Sequence, residues 1–283
     1  HDGDISIQHD DLLRNLGLFK DVILEDAWKI LDTQNIDGSW PGLKYGLQGH
    51  CPIDHLRNIR KLAGAFAVES DAARKTALKR GVMLGLIFWF ENQSHFVSDN
   101  WWMNEIGVQR ELNPIALFMW EHLPNDIRKK LIEVNPVEVS RNGANRTWIA
   151  ENVAYRGILS KDETMLSIAL ENIAKTMTMT NQEGHQADHS FFMHGSQLYN
   201  GGYGKMALSI AARWAVAARD TKFEFSPEVI YSMSALALEG NRWMMWNGMV
   251  DPMVLGREIS RTDGNKLSMG HRAVVKNLNF QKI

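Results

Sequence analysis

The stretch SDAARKTALKRGVMLGLIFWFEN, residues 70–92, has the periodicity of a helix. Its apolar side chains recur at spacings of three and four residues, as at Leu78 and Val82, and therefore line one helical face. A serine and an aspartate open the stretch, and both are N-cap residue types. We therefore predict a helix over residues 71–92.

The same periodicity continues through most of the chain, whereas strand-like alternation never exceeds four or five residues. The predicted class is all-α. Successive helices of similar length suit stacked antiparallel hairpins, in a solenoid or an α/α toroid, and the lack of a fixed repeat favours the toroid. The other predicted helices cover residues 20–34, 54–69, 102–122, 124–134, 147–159, 162–179, 202–219 and 226–240.

No linker or low-complexity segment divides the chain, so we predict a single domain over residues 1–283. Its last stretch, residues 260–283, has weak periodicity and no helix stop. We interpret that stretch as a connection toward further domains or as a truncated end.

Composition limits the classes of function. With 45% hydrophobic and 23% charged residues, the chain is that of a folded protein. Its formal net charge of -2 argues against nucleic-acid binding through the overall field. The sequence contains no run of about 18 apolar residues, so we predict no membrane span. The single cysteine, Cys51, is expected to be a small buried hydrophobe.

The stretch HGSQLYNGGYG, residues 194–204, suits a shaped active-site loop better than a helix interior, because it combines an imidazole and two phenols with four glycines. Just before it, His185 and His189 have the spacing of metal ligands on a helix. No third ligand accompanies them, so we favour a polar loop and predict no metal site.

Two tryptophans stand side by side in DNWWMNEIG, residues 99–107. Neighbouring residues on a helix diverge by about 100°, so Trp101 and Trp102 cannot both join one packing stripe. One interpretation is an indole plate that holds a sugar ring beside Asn100 and Asn104. The alternative is that one indole lies in the core and the other spaces two helices.

Two further motifs permit both a structural and a functional interpretation. Asn145 in NGANRTW is either a helix cap or a ligand-binding amide. Arg257 and Arg261 in GREISR lie four apart, on one helical face, and are either solvated or a clamp for carboxylate or sulfate. No nucleophile elbow, phosphate-binding loop or dinucleotide fingerprint occurs. Three acids near these loops leave a glycosidase-type carboxylate pair open: Asp99, Glu105 and Asp188.

Four motifs in order, NWWMNEIG (100–107), NGANRTW (142–148), SFFMHGSQLYNGGYG (190–204) and GREISR (256–261), resemble the helical domain of family-8 polysaccharide lyases. That family contains hyaluronate, chondroitin AC, chondroitin ABC and xanthan lyases. The resemblance covers essentially the whole chain. It implies an incomplete α/α toroid of antiparallel helical hairpins, which large β-sheet domains follow, and β-elimination on a uronic acid.

Carried over by motif, the resemblance implies that Asn145 and His194 contact the uronate carboxylate. It makes Tyr203 the catalytic phenol and places Arg257 beside it. Nine positions separate His194 from Tyr203, as in the family. The implied scheme requires neither a metal nor an organic cofactor. The implied sugar-binding residues are Asn100, Trp101, Trp102 and Arg261.

The chemistry explains why these residue types are needed. A uronate C5 proton is weakly acidic beside an ionised carboxylate, so hydrogen bonds from Asn145 and His194 would stabilise the developing enediolate. The phenol of Tyr203, with an ordinary pKa of about 10, needs a cation such as Arg257 to act as a phenolate near neutral pH. It would then protonate the departing glycosidic oxygen.

The sequence also departs from the family pattern. The family uses a glutamate from beyond the helical domain, which orients the arginine and tyrosine, and this chain ends before that region. Gln109 stands where we expect proline, and Met193 stands where we expect glutamine. Neither change removes a catalytic group, but both are expected to alter substrate subsites.

The function predicted from the sequence is a polysaccharide lyase acting on an acidic polysaccharide, such as hyaluronan or chondroitin sulfate. Family and substrate imply a secreted or periplasmic protein, with the family's β-sheet domains as partners of this one. One alternative is a glycan-binding or inactive fragment that lacks the complete site. The others are a xanthan-type lyase and a toroidal glycoside hydrolase that uses two carboxylates.

Overall fold

The computed structural model describes residues 9–247 and 249–260, with side chains from residue 11 onward. Helices dominate this part of the chain, which confirms the all-α class. The described residues form two compact units. The first unit is residues 17–136, and the second unit joins residues 9–16 to those after 136. The single-domain organisation over residues 1–283 stays a prediction.

Ten α-helices lie within the described ranges, and none of them combines the length and hydropathy needed to cross a membrane. In chain order they are α1 (His9–Asn15), α2 (Leu24–Asp32), α3 (Ile53–Val68), α4 (Ala72–Asn92), α5 (Val108–Met119), α6 (Asn125–Glu133), α7 (Gly143–Ser160), α8 (Glu163–Thr176), α9 (Lys205–Ala217) and α10 (Pro227–Ala235). Single π-helical turns cover Met103–Gly107, Asn200–Gly204 and Leu236–Gly240.

In the first unit, α3 packs against α2, α4 and α5. Its core face carries Leu56, Ile59 and Leu62, which are completely buried. Each such side chain contributes about 1.5–3 kcal/mol relative to an exposed one. Cys51 is buried just before α3, and burial raises the pKa of its thiol to about 11. The expectation of a small buried hydrophobe at Cys51 is confirmed.

Helix α4 begins where the sequence predicts, with Asp71 as its N-cap. The Asp71 carboxylate accepts a hydrogen bond from the backbone N–H of Arg74 at 2.8 Å. That bond satisfies one of the backbone donors that a helix start leaves without a partner. We expect Asp71→Ala to lower the free energy of unfolding by about 1 kcal/mol in denaturant titrations. Asp71→Asn, which keeps the acceptor, is the matched control, and an equal loss in both variants would contradict this role.

The predicted helix over residues 102–122 is divided into a π-helical turn, α5 and a final 3₁₀ turn. The side-chain amide of Gln109 donates to the carbonyl of Asn104 at 2.9 Å and to that of Val134 at 3.1 Å. The amide therefore satisfies a carbonyl at the turn. Further along, Pro114 inside α5 removes one backbone donor. The departure at Gln109 thus has a structural use within the first unit.

A buried histidine lies at the centre of the first unit. The Nε2 of His55 lies 2.9 Å from the carbonyl oxygen of Gly85, which can only accept, so Nε2 carries the proton. Nδ1 then accepts from the hydroxyl of Tyr45 at 3.0 Å. Burial is the main cause that lowers the pKa of His55 from 6.5 to about 4, against the smaller opposing effects of the Gly85 hydrogen bond and Asp37. The folded unit therefore holds His55 neutral.

This lowered pKa predicts acid sensitivity. The unfolded chain binds a proton at His55 below pH 6.5, whereas the folded chain does so only near pH 4. The stability that depends on neutral His55 is therefore complete above pH 6.5 and lost as the pH falls toward 4, by roughly 3 kcal/mol in total. Imidazole resonances in an NMR titration measure this site apart from the carboxylates. A His55 ring that titrates near pH 6.5 in the folded protein would contradict the prediction.

In the second unit, α7 and α8 form an antiparallel hairpin of the predicted kind. Helix α7 ends at Ser160, and Lys161 adopts the left-handed conformation with φ 57° before α8 begins. Helix α9 also packs on α7, and there the buried carboxylate of Glu151 binds Arg213 at 3.1 Å and the indole N–H of Trp214 at 3.2 Å. Because the Glu151 carboxylate is buried, removal of the half-buried Arg213 would leave a buried negative charge without its cation.

Five short strands were not predicted from the sequence. Strands β1 (Gly184–His185), β2 (Phe191–Met193) and β3 (Gln197–Leu198) form an antiparallel sheet in that order, and β4 (Met245–Trp246) pairs with β5 (Met249–Val250). Strands of two or three residues are too short for alternation to be visible in the sequence. The first sheet nevertheless carries the His194 loop.

Candidate active site

The loop at residues 194–196 joins β2 to β3 and places His194 in an unusual backbone conformation. His194 has φ 56° and Gly195 has φ 79°, so both lie in the left-handed region. That region is strained for a residue other than glycine, and such strain is concentrated at functional sites. The backbone N–H of Gly195 donates to the carboxylate of Glu183 at 2.8 Å. Glu183 thus anchors the turn that presents His194.

The buried amide of Asn200 joins this loop to its surroundings. Its Oδ1 accepts from the backbone N–H of Phe191 in β2 at 2.7 Å. Its Nδ2 donates to the carbonyl of His189 at 3.2 Å and to the side chain of Asn241 at 2.9 Å. Asn200 also opens the π-helical turn that contains Tyr203. Asn200 therefore links the strand before His194 to the turn that carries Tyr203.

The structure brings three of the predicted catalytic residues together. The guanidinium of Arg257 donates to the hydroxyl of Tyr203 at 3.1 Å. The Nε2 of His194 lies 3.4 Å from the same hydroxyl, and the two rings meet edge to face with centroids 5.3 Å apart. Tyr203 is 9% exposed, whereas His194 and Arg257 are open to solvent. A substrate would therefore reach a phenol between an imidazole and a guanidinium.

The neighbouring phenol of Tyr199 is completely buried. Burial is the main cause that raises the pKa of Tyr199, and the charge of Glu258 raises it further. Tyr199 is thereby kept protonated. The pKa of Arg257 is raised as well, chiefly by its interaction with Tyr203. By geometry, the hydrogen bond of Arg257 goes to Tyr203, which is the more exposed of the two phenols.

Asn145 does not cap its helix, because Asn142 occupies the N-cap position of α7. Its Oδ1 is buried and has no hydrogen-bond partner in the described part of the chain. A buried polar atom without a partner calls for an explanation, and a ligand supplies one. Trp148 follows one helical turn later on the same face, and its ring meets that of Tyr203 with centroids 5.6 Å apart. Asn145 therefore lies on the helical face that reaches Tyr203.

The predicted sugar-binding residues of the first unit lie just before the π-helical turn at 103–107. Asn100 accepts the backbone N–H of Trp102 at 3.1 Å. Trp102 is half-buried against Gly107, whereas Trp101 is 40% exposed. One indole thus faces outward, as the adjacency of the two tryptophans requires. Their contact with sugar stays a prediction, and Arg261 lies outside the described residues.

His185 and His189 do not share a helix. His185 lies in β1, and its Nε2 meets Nδ1 of His189 at 3.1 Å. The Nδ1 of His185 lies 3.0 Å from the carbonyl oxygen of Met177 and 3.2 Å from the hydroxyl of Ser232, so hydrogen bonds occupy both of its ring nitrogens. Within the described ranges, no three side chains of histidine, cysteine, aspartate or glutamate are grouped as metal ligands.

Sequence reasoning missed three supporting residues of this site: Glu183, Asn200 and Trp148. Asn200 stands inside the glycine-rich loop, where a buried amide is a detectable signal. Trp148 stands three residues after Asn145, which is the spacing of a shared helical face. Glu183 precedes Gly195 by twelve positions and carries no local signal.

The site thus consists of a tyrosine hydroxyl between an arginine and a histidine in a helical protein. Residues 21–282 match the family model described as polysaccharide lyase family 8, N terminal alpha-helical domain. The chain belongs to that family.

Curated relatives share a quarter or more of their aligned residues with the chain. Chondroitinase-AC of Pedobacter heparinus is 28% identical over 248 residues, which cover 84% of this chain and 35% of the relative. Xanthan lyase of Bacillus sp. strain GL1 is 25% identical, with 90% of this chain and 29% of the relative covered. The chain thus spans about a third of the length of these relatives.

Solved structures show the same fold. A chondroitinase AC lyase determined with oligosaccharides has a TM-score of 0.86 and 25% identity, covering 97% of this chain and 43% of the other. The chondroitin AC lyase of Streptomyces coelicolor A3, in complex with chondroitin sulphate, has a TM-score of 0.81. It is 19% identical, and the match covers 97% of this chain and 43% of that one, so this likeness supports the fold alone.

Proposed function

We propose that the protein is a polysaccharide lyase that cleaves a uronate-containing polysaccharide, such as hyaluronan or chondroitin sulfate, by β-elimination. The observation that carries the proposal is the Tyr203 hydroxyl, which Arg257 and His194 approach together. Family membership and relatives named as chondroitinase, hyaluronate lyase and xanthan lyase support it.

The first requirement of the reaction is to offset the charge of the uronate carboxylate. Asn145 and the exposed His194 are the side chains proposed to bind that carboxylate. Hydrogen bonds that strengthen as charge moves onto the carboxylate lower the barrier to loss of the C5 proton. The Nδ2 of Asn145 would donate to the carboxylate, and its buried, unpartnered Oδ1 would accept from a hydroxyl of the sugar.

Tyr203 is proposed to remove the C5 proton as a phenolate. The Arg257 guanidinium, which already donates to the Tyr203 oxygen at 3.1 Å, would stabilise that negative charge. The electron pair of the C5–H bond forms the enediolate and then the C4–C5 double bond, and the C4–O4 bond breaks. The proton now held by Tyr203 passes to O4, so the phenolate is restored for the next cleavage.

A toroidal hydrolase with two carboxylates is the weaker alternative. A glycosidase acid needs a raised pKa in order to hold its proton. The pKa of Asp188 is instead lowered, because its carboxylate accepts hydrogen bonds from the hydroxyl and the backbone N–H of Ser190. Asp188 therefore stabilises a turn within the second unit and does not suit the role of the acid.

Incubation of the intact protein with hyaluronan, chondroitin sulfate and xanthan tests the proposal. Elimination creates a C4–C5 double bond that absorbs ultraviolet light, and a neutral glucan without uronate is the control substrate. We expect absorbance to rise with at least one acidic polysaccharide. Chains that shorten without new absorbance would establish hydrolysis, and binding without cleavage would favour the glycan-binding alternative.

We also propose a secreted or periplasmic location, since polysaccharides such as hyaluronan and chondroitin sulfate are met outside the cytoplasm. The proposed partner domains are the family's β-sheet domains, which the sequence resemblance implies. Fractionation of the producing cells tests the location, and recovery of the protein only with cytoplasmic markers would contradict it.

A further inference from the structure

Tyr199 is completely buried beside the proposed catalytic groups, although it belongs to none of them. Its ring meets that of Tyr203 with centroids 4.8 Å apart and planes at 78°. It meets the His194 ring with centroids 6.0 Å apart and planes at 62°. Both are edge-to-face contacts of the favourable kind. One aromatic ring therefore contacts the imidazole and the phenol that are proposed to act on the substrate.

The two edges of the Tyr199 ring press against two glycines. A Cβ at Gly202 would come within 2.8 Å of Cε1, and a Cβ at Gly256 would come within 2.1 Å of Cε2. Each glycine immediately precedes a functional residue, Tyr203 in one case and Arg257 in the other. The ring thus sets the separation of the two backbone segments that carry the phenol and the guanidinium.

The backbone of Tyr199 connects to the same segments. Its N–H donates to the carbonyl of Phe191 in β2 at 2.8 Å, and its carbonyl accepts from Gly204 at 3.0 Å and Gly202 at 3.3 Å. The hydroxyl of Tyr199, in contrast, is buried, and no donor or acceptor within the described ranges meets hydrogen-bond geometry there, although Arg257 lies near. The contacts that matter are therefore those of the ring and not of the hydroxyl.

We propose that Tyr199 is a positioning residue, whose ring holds His194, Tyr203 and Arg257 in the arrangement that the reaction needs. The inference rests on the proposed function, and it concerns geometry that can be measured apart from activity. Displacement of a reacting group by about 1 Å is enough to cost up to about 100-fold in rate.

The test compares Tyr199→Phe with Tyr199→Leu in the intact protein. The phenylalanine variant keeps the ring, so its kcat should stay within about twofold of the wild type, because the Tyr199 hydroxyl makes no hydrogen bond of good geometry. The leucine variant should lose about 10- to 100-fold in kcat, with KM within about threefold. Its crystal structure should lack the 3.1 Å contact between Arg257 and Tyr203.

Tyr155→Leu is the matched control, since Tyr155 is a buried ring packed on Trp214 in the same unit. Tyr155→Leu should lower the free energy of unfolding and leave kcat unchanged. If Tyr199→Leu does not fold, Gly202→Ala tests the same contact by pushing on the ring. Its control is Gly64→Ala, whose Cβ would also come within 2.8 Å of a side chain, that of Val22 in the first unit.

Retention of both kcat and the contact between Arg257 and Tyr203 in Tyr199→Leu would overturn the proposal. A loss of kcat in Tyr199→Phe equal to that in Tyr199→Leu would also overturn the proposal, because the hydroxyl and not the ring would then be responsible. If the wild type shows no lyase activity, the proposed function fails instead. The crystal structures of the two variants still decide whether the ring positions Tyr203 and Arg257.

Discussion

Tyr203→Phe is expected to lower kcat by about 10⁴-fold while leaving polysaccharide affinity nearly unchanged. The substitution removes one oxygen, which is the atom that Arg257 and His194 both approach. The proposed mechanism uses that atom twice, first as the base at C5 and then as the acid at O4. The Tyr203 ring keeps its contacts with Trp148 and Tyr199, so the fold around the site should persist.

Initial rates of double-bond formation give kcat for this variant, and calorimetric titration with an oligosaccharide gives its affinity. Tyr231→Phe is the matched control, because the Tyr231 phenol is 68% exposed and lies outside the site. That control should turn over at the wild-type rate. A Tyr203→Phe variant that keeps even a tenth of wild-type kcat would remove Tyr203 from the proposed role.

Arg257→Ala should lower kcat by about 10³-fold, which is the upper range for loss of one preorganised donor. The guanidinium donates to the Tyr203 oxygen, and their mutual interaction is the main cause that raises the pKa of Arg257. Without this cation, the phenolate is less stable, so the rate should rise only at higher pH than in the wild type. The pH profile and the rate therefore both report on the electrostatic role of Arg257.

Arg242→Ala is the control for this second variant. Arg242 belongs to the same unit, and its exposed guanidinium lies 4.7 Å from the centroid of the Trp243 ring. Its loss should leave both kcat and the pH profile unchanged. An Arg257→Ala profile with the wild-type pH dependence would show that Arg257 binds substrate and does not act on the phenol.

The helices with clear periodicity could be predicted from the sequence. Residues 71–92 were predicted to be helical, and α4 extends from Ala72 to Asn92. The hairpin of α7 and α8 was also predicted, because the Ser160-Lys161-Asp162-Glu163 segment carries a capping signal. Strands β1 to β5 were missed, since two or three residues form no pattern and their pairing depends on contacts across loops.

The proposed catalytic cluster was predicted partly from residue type and partly from the family resemblance. Nine positions between His194 and Tyr203 suggested a shared loop, and the structure brings their side chains within 3.4 Å. Arg257 lies 54 positions after Tyr203, and only the order of the motifs indicated that the two residues share a site.

Two supporting contacts could not be predicted in this way, for physical reasons. In the left-handed turn at His194 and Gly195, the N–H of Gly195 binds the carboxylate of Glu183, which lies twelve positions before Gly195. The Tyr199 ring packs on Gly256, a contact between segments 57 positions apart that no local pattern encodes. Tertiary contacts of this kind decide which of two neighbouring phenols receives the cation.

The most direct test of the central claim is to count double bonds against cleaved linkages. For the intact protein acting on hyaluronan or chondroitin sulfate, ultraviolet absorbance gives the number of C4–C5 double bonds, and a reducing-end assay gives the number of linkages broken. Elimination through Tyr203 predicts one double bond for every linkage, with both signals lost together in Tyr203→Phe. Reducing ends without double bonds, or cleavage that survives in Tyr203→Phe, would contradict the account.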